Sequence, residues 1–79
     1  MEKIELNADG TLNVPLSTGQ RIEITFTEKA GRTEYGHLQE VINEGKISYN
    51  IVLDSNPVAR PQELLEILKN KPTISVYKV

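Results

Sequence analysis

The sequence predicts a β-rich α+β domain: five or six mostly antiparallel strands, arranged as a meander or small barrel, with one helix at about residues 61–70. Three observations point there. Apolar residues recur at every second position, Ile22, Ile24 and Phe26 against Arg21, Glu23 and Thr25, and Ile47, Tyr49, Ile51 and Leu53 against Lys46, Ser48, Asn50 and Val52, which is what a strand needs to bury one face and wet the other. Short segments carrying glycine separate the alternating runs, as in successive hairpins. A leucine-rich run lies between Pro61 and Pro72.

Taken in order, Ile4 and Leu6 fall on one face of a first short strand. Asn7-Ala8-Asp9-Gly10 reads as a turn, since Asn and Asp bond their own backbone and Gly accepts positive φ. Leu12, Val14 and Leu16 then resume alternation in a second strand, making a hairpin. Pro15 cannot donate to a ladder, so that strand belongs at an edge or ends there. After the turn Ser17–Gln20, a third strand runs from about Arg21 to Glu28. Lys29–Arg32 and Asn43–Lys46 both read as type I turns passing into a bulge at glycine.

Thr33 to Glu44 supports two readings. Tyr35, Leu38, Val41 and Ile42 fit one helical face, with Thr33 as a cap and Gly45 as a stop. Gly36 would cost about 1 kcal/mol inside a helix, however, and Thr, Tyr, Val and Ile favour strands. The extended reading is preferred, with Gly36 at a bend or bulge. Asp54 to Arg60 is the longest irregular stretch. In the helix that follows, Pro61 suits the first position; Leu64, Leu65 and Leu68 form the apolar stripe, with Ile67 beside it. Thr73–Val79 is a last strand, apolar on both faces, hence central or an edge that meets a partner.

Seventy-nine residues make one domain (1–79) with a thin core; 23 of them are Leu, Ile, Val or Phe, enough to fold. Self-association as a homo-oligomer would add buried surface. The absence of cysteine excludes disulfides, thiolate metal sites and thiol nucleophiles. Net charge of −2 argues against bulk attraction to phosphate backbones. No apolar stretch reaches the ~18 residues of a membrane span, and no signal-peptide core follows Met1. A cytoplasmic chain, complete as a small gene product and with no membrane role, is the expectation.

Thr18 to Leu53, TGQRIEITFTEKAGRTEYGHLQEVINEGKISYNIVL, resembles the Sm-like small β-barrels over less than half the chain. Gly36-His37-Leu38 matches that family's bent Gly-x-Leu strand, and Asn43–Lys46 its following turn. The resemblance implies a small barrel of nucleic-acid-binding type. The chain departs from the family in opening with a hairpin instead of a helix. Asn56–Arg60 and a helix also stand where the family has its Arg-Gly motif, so RNA binding is carried onto no residue.

Catalytic groups are sparse. His37 is the single histidine and could act as a base or ligand, but a zinc site needs partners that no second His or Cys supplies. Glu40 with Glu44, and Glu63 with Glu66, read as solvated faces. Ser17, Ser48, Ser55 and Ser75 have no accompanying base, and no phosphate-binding glycine motif occurs. No cofactor, metal or enzymatic activity is therefore expected. The leading expectation is a small protein-interaction module, such as a regulator or phage-type inhibitor of a host protein. Its candidate partner-binding residues are Tyr35, Val58, Arg60 and Tyr77: two tyrosines, and an apolar and a cationic residue on a loop. The plainer readings are that Val58 tucks under the helix and Tyr77 is buried. The alternative function is nucleic-acid binding by a small barrel, which a basic stripe of Arg21, Arg32 and Lys46 would favour.

Overall fold

The computed structural model describes residues 1–28, 32–57 and 61–79. Among these, six strands and one short helix form a β-rich α+β fold. The elements are β1 (Glu2–Lys3), β2 (Arg21–Phe26), β3 (Thr33–Asn43), β4 (Lys46–Leu53), β5 (Gln62–Glu63), α1 (Leu64–Asn70) and β6 (Ile74–Lys78). The strands make one open sheet in the order β1-β6-β2-β3-β4-β5, with every pairing antiparallel.

Strands β2 to β4 are the meander that the alternating runs predict. Thr33–Asn43 is a strand, and its register against β4 runs unbroken from Gly36↔Leu53 to Asn43↔Lys46, so the expected bulge is not there. What Gly36 supplies is room. It is buried, and a Cβ at that position would collide with the Val52 carbonyl of the neighbouring strand. The β3–β4 turn differs from the expected type I turn with a bulge. Glu44 (φ 52°) and Gly45 (φ 78°) are both left-handed in a two-residue loop, the type I′ arrangement whose twist matches that of the strands.

The N-terminal hairpin is reduced to a single bridge, Leu6↔Leu12. Asn13 explains why no second strand is needed. Its backbone N–H donates to Glu5 O (3.0 Å), its Oδ1 accepts from Glu5 N–H (2.8 Å), and its Nδ2 donates to Lys3 O (3.0 Å). A side chain thus completes what a ladder would have done. Residues 12–16 instead lay Leu12, Val14 and Leu16 against the core.

The helix begins three residues later than expected. Gln62 and Glu63 pair with Ile51 and Asn50 of β4, so Pro61 precedes a strand and Glu63 is the N-cap, with extended backbone. Leu64 and Ile67 are its buried residues, while Leu65 and Leu68 are half-buried; the buried stripe is therefore set by i, i+3 spacing. Lys71 N–H donates to Ile67 O at 3.0 Å, and Pro72 follows.

One face of the sheet carries the core: Ile22, Ile24, Leu38, Ile51 and Val76, closed over by Ile4, Val14, Leu64 and Ile67. The last strand is central, paired to β1 on one side and β2 on the other, with Val76 inward and Tyr77 outward. No described helix is long and apolar enough to cross a membrane.

Candidate interaction surface

Because side chains alternate, the face opposite the core is fixed by the same register. Cross-strand partners give two rows on it. Arg21 sits between His37 and, through its carbonyl, the N–H of Val79 (3.1 Å); His37 in turn pairs with Val52. In the next row Glu23 lies between Tyr35 and Tyr77, and Tyr77 pairs onward to Lys3. Tyr35 and Tyr77, far apart in sequence, therefore flank one carboxylate.

Tyr35 is 50% exposed, and its hydroxyl donates to Glu23 Oε1 at 3.3 Å. Tyr77 is half-buried. Val58 and Arg60, the other two residues singled out from sequence, lie outside the described residues.

A bidentate ion pair, which the sequence did not reveal, crosses this face. Arg21 Nη1 donates to Asp54 Oδ1 at 2.9 Å and Nη2 to Oδ2 at 2.6 Å. Arg21 belongs to β2 and Asp54 follows β4, so the pair spans β3, while Asp54 N–H donates to Tyr35 O at 2.9 Å. The only sequence signal was that Arg21 falls on the polar side of its strand; the partner 33 positions away required the register. The hydrogen bonds from Arg21 hold the Asp54 carboxyl below the ordinary aspartate range, with the charges of Arg21 and His37 adding to the effect and partial desolvation opposing it. A depressed folded value stabilises the fold above the unfolded aspartate value and is lost as the pH falls through the depressed one. NMR titration should place the Asp54 midpoint low, and Arg21→Ala should return it toward the ordinary value. An unchanged midpoint in the variant would show that the fork is not the cause.

His37 lines an open depression with Thr18, Gly19, Gln39, Val52, Pro57 and Pro61, with no carboxylate among the described lining residues. A separate apolar cavity of about 280 Å³ lies on the core side, between Ile24, Phe26, Ile51, Ile67 and Ile74. At its margin the Arg32 guanidinium lies 4.6 Å from the Phe26 ring centre and 3.8 Å from Glu34. Among the described residues, no group of three or more His, Asp or Glu side chains is placed to hold a metal ion.

The described cations of the expected basic stripe, Arg21, Arg32 and Lys46, lie apart from one another. Arg21 is paired on the outer face and Arg32 meets Phe26 and Glu34 on the core side. Lys46 stands at the β3–β4 turn. Comparison with known proteins returns no match: no family model, no curated protein and no solved structure resembles this chain at a significant level.

Proposed function

We propose that this chain is a small non-enzymatic protein-interaction module, of the regulator or inhibitor type, which engages a protein partner through the outer face of its sheet. The observation that carries this reading is Tyr35: half exposed on the outer face of the sheet, beside the Arg21–Asp54 fork and Glu23, which Tyr77 flanks on its other side. Tyrosine offers a large apolar face and a polar tip at the cost of ordering two torsions, and Tyr and Arg recur as interface anchors. The strands hold that surface in place before any partner arrives, so little ordering entropy remains to be lost.

Dispersed charge favours this reading over a nucleic-acid-binding barrel. Phosphate recognition draws on unpaired cations gathered along one surface, whereas Arg21 and Arg32 each face a carboxylate on opposite sides of the sheet.

The test has two arms. Titration against random duplex DNA, single-stranded DNA and structured RNA should show no binding at moderate salt; micromolar binding that falls steeply with salt would overturn the reading. Affinity capture from the native host, run in parallel with wild type and Tyr35→Ala, should recover a partner that the variant retains about tenfold less well or worse. Equal recovery by a folded variant would show that this face is not the surface used.

A further inference from the structure

Resting on the reading that the outer face of the sheet binds a protein, we propose that the partner places an arginine side chain over Glu23, between Tyr35 and Tyr77. Register brings these three residues together. Leu38 N–H donates to Gln20 O (2.9 Å) and Phe26 N–H donates to Arg32 O (3.2 Å), one bond near each end of β2. By the two-residue period the hydrogen-bonded pairs between β2 and β3 fall on the even residues of β2, so Glu23↔Tyr35 is a non-hydrogen-bonded pair. Such pairs hold their side chains closest, with about 4.5 Å between Cα atoms. On the other flank, Val79 N–H donates to Arg21 O (3.1 Å) and Thr27 N–H to Thr73 O (2.8 Å). Glu23↔Tyr77 is therefore a hydrogen-bonded pair, at about 5.5 Å. A tyrosine stands on each side of the carboxylate, and the Tyr35 hydroxyl donates to its Oε1.

Charge identifies the occupant. Glu23 is half-buried, yet it belongs to none of the ion pairs among the described residues. The two cations on neighbouring positions of this face are committed elsewhere. Arg21, two positions away on β2, is forked to Asp54; Lys3, beyond Tyr77, reaches Glu5 at 3.9 Å. The Tyr35 hydroxyl is a single neutral donor, which leaves most of the acceptor capacity of the carboxylate open. Tyrosine rings carry negative potential on their faces, so the two rings and the carboxylate favour the same sign of ligand. Arginine suits the place better than lysine. Its guanidinium is more weakly hydrated, donates in its plane to a carboxylate and offers flat faces to the rings.

NMR titration of the chain with N-acetylarginine methylamide, and with the matching lysine and neutral citrulline compounds, tests this. The Tyr35 and Tyr77 ring signals and the Glu23 amide should shift saturably with the arginine probe, with a dissociation constant on the order of 10 mM. The lysine and citrulline probes should bind about fivefold more weakly or worse. Glu23→Gln and Tyr77→Leu, each with unchanged circular dichroism, should weaken the arginine probe by a similar factor. A citrulline or lysine probe that binds as well as arginine would overturn the proposal, as would no saturable shift at these residues. Capture of the partner separates the two readings. Loss of the partner by Tyr35→Ala together with full retention by Glu23→Gln would leave the sheet face standing and remove the arginine. Full retention by both folded variants would remove the face as well.

Discussion

Gly36→Ala is expected to lower stability by about 3 kcal/mol or more, the upper range for forcing atoms into a packed interior. The obstacle is backbone: a methyl group would meet the Val52 carbonyl and the Leu53 Cα of β4, neither of which can rotate aside like the end of a side chain. Gly36 also pairs with Ile22 on its other flank, so β3 cannot retreat without opening the β2 ladder. A chain of this size has about 4–12 kcal/mol in total, at roughly 0.05–0.15 kcal/mol per residue. The variant should therefore show a much lower urea midpoint or fail to fold at all. A midpoint within error of wild type would mean that β3 and β4 are farther apart at Gly36 than described.

Leu64→Ala is expected to cost about 2–5 kcal/mol, and Leu68→Ala distinctly less. Leu64 is 1% exposed at the start of α1, against Ile67 and the β4 side of the core, whereas Leu68 only packs against the rim. Removing a buried side chain forfeits both its transfer from water and the contacts around the hole left behind. A half-buried one loses less of each, because water already reaches part of it. Paired urea titrations of the two variants separate them. Equal losses, or a larger one at Leu68, would mean that the helix is rotated about its axis from the arrangement described.

Fold class was legible from sequence because alternation is a local signal. Ile22, Ile24 and Phe26, then Ile47, Tyr49, Ile51 and Leu53, name their strands without reference to anything distant. Glycine and proline marked most turns and the end of α1. What escaped was decided by partners across space. Pro61 looks like a helix start until Gln62 and Glu63 are seen to pair with β4. Leu12, Val14 and Leu16 alternate like a strand, yet the Asn13 carboxamide fills the hydrogen bonds a ladder would have made. The surface shows the same division. Tyr35 and Tyr77 were readable as candidates by residue type, while their meeting around Glu23 and the Arg21–Asp54 fork depend on register.

The position of β6 has a consequence for how the molecule comes into being. It is the last element along the chain, yet it lies inside the sheet, between β1 and β2. A ribosome delivers residues in chain order, so β2, β3 and β4 can zip together as neighbouring hairpins while synthesis continues. One flank of β2 must wait until residues 74–78 have left the exit tunnel. During that interval it is an unsealed strand edge of the kind that invites chaperones or misassembly. Glu2 and Lys3 are made before the other strands, yet find their partners only when Tyr77 and Lys78 arrive. The first of these strands to be synthesised is thus among the last to be placed.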